Sequence, residues 1–247
     1  MSVNNVIGVI PARWASTRLP GKSLVELCGK PMIQWVVERA QEVESLSEVV
    51  VATDDERIKV AVESFGAKAV MTRADHPSGT DRIAEAVRGM DADVVVNIQG
   101  DEPMLNPGLV DELVEVMLAD DGWDMGTAAT RIMQDADLND PGVVKVVWGA
   151  EHQALYFSRS VIPFVRDAEM QGRVPHWRHL GLYAYRSEFL QKMVSAPPCD
   201  LELSEKLEQL RALHLGARMV VLETEDSGIG VDTPADVERA ESLMRGE

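Results

Sequence analysis

Short apolar runs alternate with amphipathic stretches along the first half of the chain. The runs are rich in Val, Ile and Ala, as are strands buried on both faces of a parallel sheet. They predict strands at residues 6–10, 48–53, 67–71 and 94–98. The stretches between and after them predict helices at residues 31–43, 54–65, 80–90 and 107–118. This order indicates an α/β fold with a single doubly wound, mostly parallel sheet flanked by helices, whose ligands bind at the carboxyl ends of the strands.

The second half of the chain has a less regular pattern. It predicts further strands at residues 127–131, 143–148, 155–158, 181–186 and 219–222. We expect helices at residues 204–215 and from Thr233-Pro234 onward, and an irregular excursion at residues 164–179. No linker or low-complexity stretch interrupts the pattern, so we expect one domain over residues 1–247.

The chain is strongly acidic. It has 24 Lys and Arg against 41 Asp and Glu, a formal net charge of −17, although 45% hydrophobic and 26% charged residues are ordinary for a globular protein. Such a charge repels nucleic acid and anionic membranes, so we expect neither as a partner. The sequence lacks a bilayer-spanning apolar stretch and signal-peptide features, which predicts a cytoplasmic protein. The isolated Cys28 and Cys199 are expected to be reduced thiols.

A basic loop directly after the first strand stands out against this acidity. Residues 13–22 contain Arg13, Arg18 and Lys22 and no acidic residue. Loops at this place in doubly wound sheets hold phosphates, and Arg18 and Lys22 would suit a triphosphate, helped by backbone amides around Ser16. A solvated surface loop is the other interpretation. The loop is neither a Walker A motif nor a G-x-G-x-x-G fingerprint.

The same loop carries a family resemblance. Residues 10–22 read Ile-Pro-Ala-Arg-Trp-Ala-Ser-Thr-Arg-Leu-Pro-Gly-Lys, and other blocks follow in the same order and spacing at residues 74–82, 97–103, 154–159, 178–183, 207–211 and 230–234. In these blocks the chain resembles the 3-deoxy-manno-octulosonate cytidylyltransferases, or CMP-Kdo synthetases, from end to end. The resemblance implies a fold like that of the nucleotide-diphospho-sugar transferases.

The resemblance implies a reaction as well. A member of this family transfers CMP from CTP to the anomeric hydroxyl of 3-deoxy-D-manno-octulosonate (Kdo), an eight-carbon acid sugar, and releases pyrophosphate. The product, CMP-Kdo, serves lipopolysaccharide synthesis. The resemblance also implies Mg²⁺ as the cofactor and a homodimer built around the mid-chain excursion.

Residue roles follow from the matching motif positions. Asp101 and Asp232 are expected to hold the metal and to act in catalysis together with Arg18 and Lys22. Each aspartate also has a simpler explanation, since Asp101 can end a strand and Asp232-Thr233-Pro234 is a good helix start.

The substrate sites are assigned in the same way. Nucleotide binding is expected at Arg13, Ser16, Arg18, Lys22, Ser78, Gly79 and Gln99, where Ser78 is equally a plausible helix N-cap. Sugar binding is expected at Arg159, Arg178, His179, Tyr183, Glu208 and Gln209. Arg178, His179 and Tyr183 lie within a second acid-free basic segment, residues 173–186, which suits an acid sugar. Tyr183 fits a core position equally well, and His179 a structural one.

Other functions remain open from the residues. Asp200 stands where many family members carry proline, so a cytidylyltransferase for a variant such as 8-amino-8-deoxy-Kdo is the alternative. A nucleotide-sugar pyrophosphorylase usually has a glycine-rich first loop, whereas this loop contains only Gly21. A metal-dependent glycosyltransferase normally shows Asp-x-Asp after a strand, and here the strand leads to Gly100-Asp101-Glu102. A nucleotide-binding regulator without chemistry is disfavoured by the presence of Lys22, Asp101 and Asp232.

Overall fold

A computed structural model describes residues 4–15, 19–170 and 172–246. The strands are β1 Val6–Ala12, β2 Glu26–Leu27, β3 Lys30–Pro31, β4 Glu48–Thr53, β5 Lys68–Met71, β6 Val94–Asn97, β7 Met125–Arg131, β8 Lys145–Trp148, β9 Ala154–Ser158, β10 Trp177–Arg186 and β11 Met219–Thr224. The helices are α1 Met32–Ala40, α2 Glu56–Ser64, α3 Gly79–Ala86, α4 Pro107–Ala119, α5 Asp135–Asn139, α6 Ser187–Ser195, α7 Asp200–Glu205, α8 Gln209–His214 and α9 Pro234–Arg245. The predicted fold class, α/β with a mostly parallel sheet flanked by helices, is confirmed.

The chain forms two compact units, which we describe separately. The first unit contains the residues up to Glu115 together with those from Gly228 onward, and the second is Val116–Ser227. The expectation of one domain over residues 1–247 stays a prediction. None of the helices in the described ranges has the length and apolar content needed to cross a bilayer. Both cysteines carry free thiols, as expected.

The first unit is built on four parallel strands in the order β6-β1-β4-β5. β1 lies between β4 and β6, with Val9 opposite Val50 on one side and Asn97 on the other. Because β1 has neighbours on both edges and helices pack against it, its side chains from Val6 to Ile10 are buried, which explains the unbroken apolar run. β1 and β6 end at the same edge of the sheet, where the loops after them meet.

The second unit has a mixed sheet. β7 runs parallel to β11 and antiparallel to β10, and β8 and β9 form an antiparallel pair whose β8 edge meets β10. β10 begins at Trp177, four residues before the predicted start, and has an irregular register between Leu180 and Tyr183. The chain from Arg159 to His176 contains only a short 3-10 turn at Ala168–Met170 among its described residues. The predicted irregular excursion is therefore confirmed up to His176, whereas its last three residues belong to β10.

The one helix predicted within this unit was wrong in its bounds, and helices α5 and α6 were not predicted. The helix expected at residues 204–215 is two helices, α7 and α8, because Lys206 adopts a left-handed conformation (φ 56°) and its N–H closes α7 on the Glu202 carbonyl at 2.7 Å. Helix α6 was missed, although it buries Phe189, Leu190 and Met193 at helical spacing. This apolar pattern is short and follows β10 without an intervening loop, so no separate helix signal was present.

Candidate active site

A polar cavity of about 390 Å³ opens at the edge of the first unit where β1 and β6 end. It is lined by Pro11, Ala12, Arg13, Lys22, Ser23, His76, Pro77, Ser78, Gly79, Arg82, Gln99, Gly100, Asp101 and Asp232. The structure therefore brings together seven of the residues assigned to nucleotide, metal or catalysis, namely Arg13, Lys22, Ser78, Gly79, Gln99, Asp101 and Asp232. The other two, Ser16 and Arg18, lie outside the described residues.

The ammonium group of Lys22 lies between two carboxylates of this cavity. Its Nζ lies 2.5 Å from Asp101 Oδ2 and 2.9 Å from Asp232 Oδ1. Partial burial acts to lower the pKa of Lys22, but the charges and hydrogen bonds of Asp101 and Asp232 together outweigh it, so the pKa is raised. Lys22 is thus a firmly protonated ammonium that two carboxylates share.

The turn before Lys22 depends on glycine. Gly21 has a φ of 66°, and a Cβ there would stand 3.1 Å from the ring of Trp14. That ring is covered in turn by the guanidinium of Arg57, whose Cζ lies 3.3 Å from the ring centroid. These contacts fix where the chain enters the 3-10 helix Lys22–Leu24. They set the point from which the Lys22 side chain reaches the carboxylates.

Asp232 is placed by the start of helix α9. Thr233 is the N-cap, its hydroxyl accepting from the Asp236 N–H at 3.3 Å, and Pro234 occupies the first turn. The Val231 N–H donates to the Asp101 carbonyl at 2.8 Å, which ties the segment before α9 to the turn after β6. The helix-start interpretation of this motif is therefore correct for Thr233-Pro234, and it leaves the Asp232 carboxylate facing Lys22.

The start of helix α3 forms another part of the cavity wall. The Ser78 hydroxyl caps the helix by accepting from the Asp81 N–H at 3.1 Å, so this residue serves as an N-cap while it also lines the cavity. Gly100 lies so close to the end of β1 that a Cβ would stand 2.9 Å from the Pro11 carbonyl oxygen. Only glycine fits there without displacing the backbone of β1.

Arg82 and His76 also line the cavity, and no role was predicted for either of them. Arg82 is buried and donates to Thr72 Oγ1 at 2.6 Å and to Asp54 Oδ2 at 3.1 Å. His76 contacts the carboxylate of Glu85. Both residues lie in the 74–82 block, which was the available signal. Arg82 ties the cavity wall to the residues that follow β4 and β5, and His76 ties the loop before α3 to that helix.

The two aspartates fit a magnesium ion. Asp101 Oδ2 and Asp232 Oδ1 reach one nitrogen atom, so they are close enough to reach one ion together. Among residues 4–15, 19–170 and 172–246, no cluster of three or more His, Cys, Asp or Glu is arranged to hold a metal. Mg²⁺ is commonly held by one or two protein carboxylates and completes its shell with water and substrate phosphates.

The residues assigned to the sugar lie in the second unit. The rings of His179 and Tyr183 are in contact, with centroids 5.3 Å apart. Burial, followed by the neighbouring Tyr185 and Glu208 side chains, raises the pKa of Tyr183, so its hydroxyl stays protonated and can donate a hydrogen bond. Gln209 is buried at the start of α8, next to Glu208. His179, Tyr183 and Glu208 therefore belong to one neighbourhood.

Arg178 and Arg159 are placed differently. Arg178 lines a cavity of about 600 Å³ that also includes Trp177 and Glu223. Arg159 donates through its guanidinium to the carbonyls of Pro141, Glu205 and Lys206 at 2.8, 2.7 and 3.4 Å. These bonds give Arg159 a structural task, because they join the turn before β8 to the end of α7.

His179 is neutral in the folded protein. Its Nε2 lies 3.0 Å from Thr127 Oγ1. Desolvation, with a smaller effect from Arg178, lowers the pKa of the imidazole to about 3, although the residue as a whole is only partly buried. A neutral imidazole can exchange hydrogen bonds with sugar hydroxyls, but it cannot attract the sugar carboxylate by charge.

This shift predicts a pH dependence of stability. Below the ordinary histidine pKa of about 6.5, the unfolded chain binds a proton at this position that the folded chain does not. We therefore expect His179 to make the free energy of unfolding fall as the pH drops from about 6.5 toward 4, by about 1 kcal/mol per pH unit. Urea unfolding across this range should show a flatter slope for His179→Gln than for wild type. His152→Gln is the control, because water solvates that half-exposed ring; equal slopes for wild type and His179→Gln would contradict the prediction.

Comparison with known proteins shows which family the chain belongs to. A family model described as cytidylyltransferase matches residues 7–221. The chain is similar to 3-deoxy-manno-octulosonate cytidylyltransferases from Geobacter sulfurreducens, with 49% identity over 95% of this chain and 97% of the relative, and from Bdellovibrio bacteriovorus, with 48% identity over 98% of each.

Solved structures give the same picture. A CMP:2-keto-3-deoxy-manno-octonic acid synthetase complexed with CTP superposes with a TM-score of 0.94 and 45% identity, covering 98% of this chain and 99% of that one. A cytidylyltransferase from Leptospira borgpetersenii, at 16% identity and a TM-score of 0.66, shares the fold. The chain therefore belongs to the 3-deoxy-manno-octulosonate cytidylyltransferase family.

Proposed function

We propose that this protein transfers CMP from CTP to the anomeric hydroxyl of Kdo. The hydroxyl gives up its proton to solvent as its oxygen forms a bond to the α-phosphorus, the bond from that phosphorus to the α–β bridging oxygen breaks, and pyrophosphate leaves. The observation that carries the proposal is the cavity in which Lys22, Asp101 and Asp232 converge beside the residues of the nucleotide motifs. The proposal includes Mg²⁺ dependence, a cytoplasmic site of action and a place in lipopolysaccharide synthesis.

The chain's own residues divide the work by charge. Lys22 and Arg13 supply positive charge for the triphosphate inside a protein whose net charge is −17. Gln99 can both donate and accept, and the backbone at Ser78-Gly79 can approach a ring closely, so these residues suit the amine and carbonyl of cytosine. Asp101 and Asp232 would hold Mg²⁺, which when bound neutralises phosphate charge and lowers the pKa of the attacking hydroxyl.

In the second unit, neutral groups suit the sugar hydroxyls. Tyr183 offers a protonated hydroxyl, His179 a neutral imidazole and Gln209 an amide. The sugar carboxylate requires a cation, for which Arg178 is better suited than Arg159, since backbone carbonyls engage the Arg159 guanidinium.

The relatives reported above, which are named for 3-deoxy-manno-octulosonate, favour Kdo over its 8-amino variant. Asp200 is exposed in the first turn of α7, where a negative charge interacts favourably with the helix dipole. Its presence is thereby explained without an amine on the substrate. Asp200→Ala should accordingly leave the preference for Kdo unchanged.

Pyrophosphate release tests the proposal. Pure protein is incubated with CTP, Mg²⁺ and one of three acid sugars: Kdo, 8-amino-8-deoxy-Kdo or sialic acid. We expect release with Kdo, little with sialic acid, and dependence on CTP over UTP. A clear preference of wild type for the amino sugar that Asp200→Ala loses would favour the variant substrate, and no release with any sugar would refute the proposal.

We extend the proposal to a homodimer formed through the mid-chain excursion. Phe164 and Met133 are 84% and 79% exposed and line one cavity of about 510 Å³ with Ile132, Val161 and Val165. Large apolar side chains exposed together are typical of interaction surfaces. We expect light scattering to give twice the chain mass of 27.2 kDa and Phe164→Glu to shift the protein toward monomer; a wild-type monomer at micromolar concentration would contradict this.

A further inference from the structure

One ammonium group occupies the space between the two proposed metal ligands. Lys22 Nζ is within hydrogen-bonding distance of both Asp101 Oδ2 and Asp232 Oδ1, at 2.5 and 2.9 Å. A magnesium ion bound to the same oxygens would lie about 2.0–2.1 Å from them. A divalent ion and an ammonium so close together repel each other strongly in a partly buried cavity. The two cations are therefore competitors for the same pair of carboxylates.

Lys22 can leave this position without a change of the backbone. Its main chain is held by two hydrogen bonds, from its own N–H to the Leu19 carbonyl and from the Val25 N–H to its carbonyl, each 3.1 Å long. Its side chain is a flexible four-carbon stem with an 18% exposed surface. The ammonium can therefore turn to another anion in the same cavity while the chain around it stays in place.

A triphosphate is the anion that the residues lining the cavity are suited to bind. Arg13, Ser78 and Gly79 line it together with Lys22, and a lysine is a regular phosphate ligand. A bound triphosphate would supply phosphate oxygens to Lys22 and further oxygens to a metal ion. The two carboxylates would then exchange the Lys22 ammonium for the metal ion, and would not be left without a cation.

We propose that Lys22 excludes divalent cations from Asp101 and Asp232 until a nucleoside triphosphate draws its ammonium away. Metal then enters this pair with the nucleotide or after it, and does not enter before. The inference rests on the proposed function, since it takes Asp101 and Asp232 as the metal ligands. The coupling is reciprocal: the nucleotide increases the affinity of the carboxylates for metal by the factor by which metal increases the affinity for nucleotide.

Metal binding without nucleotide tests the exclusion. Binding of Mn²⁺ is measured by electron paramagnetic resonance for wild type, Lys22→Met, and the double variant Lys22→Met/Asp101→Asn. We expect Lys22→Met to bind Mn²⁺ at least about tenfold more tightly than wild type, and the double variant to lose that gain. Equal affinities of wild type and Lys22→Met, or a gain that survives Asp101→Asn, would overturn the proposal. Lys22→Gln replaces Lys22→Met if the latter does not fold.

A second measurement needs no substitution. The side-chain ¹⁵N signal of Lys22 is followed by nuclear magnetic resonance in EDTA while a non-hydrolysable CTP analogue is added. A large shift of this signal on adding the analogue supports the exchange of partners, and an unchanged signal at saturation overturns it. Neither measurement depends on turnover, so a failure of the proposed function appears separately, as absent pyrophosphate release.

Discussion

Asp101→Asn is expected to lower kcat for CMP-Kdo formation about 10³-fold. Asparagine keeps the shape of the side chain but removes one of the two charges that would hold Mg²⁺, and transition-state stabilisation by a bound metal amounts to several kcal/mol. Asp232→Asn should have an effect of similar size. Since the two carboxylates act as a unit, the double variant should be little worse than either single variant. Pyrophosphate release at saturating CTP and Kdo measures the effect.

The neighbouring acidic residue provides a matched control. Glu102 follows Asp101 in the same turn but does not line the cavity, so Glu102→Gln should keep activity within about threefold of wild type. Calorimetry with CTP in EDTA should show that Asp101→Asn still binds the nucleotide. More than about a tenth of wild-type activity in Asp101→Asn would exclude this carboxylate as an essential metal ligand.

Arg211→Met is expected to reduce the free energy of unfolding by about 3–5 kcal/mol. Arg211 is buried and binds Glu202 through two nitrogens at 2.8 and 2.5 Å, while another nitrogen donates to the Met193 and Ala196 carbonyls. Without it, the largely buried Glu202 carboxylate has lost the cation that balances it. For a chain of this size the melting temperature should fall by roughly 10 °C, which urea and thermal unfolding can measure.

A second ion pair distinguishes burial from charge as the cause. Arg245 pairs with Glu241 at 2.9 Å on helix α9, but its side chain is 50% exposed, so Arg245→Met should cost less than about 0.5 kcal/mol. Adding Glu202→Leu to Arg211→Met should recover part of the loss, because both buried charges are then absent. Similar losses for Arg211→Met and Arg245→Met would refute the argument.

The ion pair of Arg211 and Glu202 also lies next to two of the residues assigned to the sugar, Glu208 and Gln209. It joins α7 to α8 across the left-handed turn at Lys206, and Glu208 lies 3.6 Å from the same guanidinium. The continuous helix predicted at residues 204–215 would have placed Glu208 and Gln209 in mid-helix. The break places them at the beginning of α8 instead. The positive φ of a single residue, Lys206, decides this geometry. No local sequence pattern predicts a positive φ at a lysine.

The elements of the parallel sheet were predictable because their signal is local. β4 was predicted at its observed bounds, and β1, β5 and β6 within two residues at each end. A strand buried on both faces needs apolar residues throughout, and the helix after it needs one apolar face. Strand β10 was harder to delimit, since its first residues Trp177, Arg178 and His179 carry no such pattern.

By itself, the sequence determined the fold class, the order of the parallel strands and their helices in the first unit, and the family, because periodicity and motif spacing are properties of neighbouring residues. Only the tertiary structure decided which groups are in contact. The two carboxylates that bind Lys22 lie 79 and 210 positions further along the chain. The guanidinium of Arg159 donates to backbone carbonyls. Side-chain partners depend on how distant segments pack, and no short stretch of sequence contains that information.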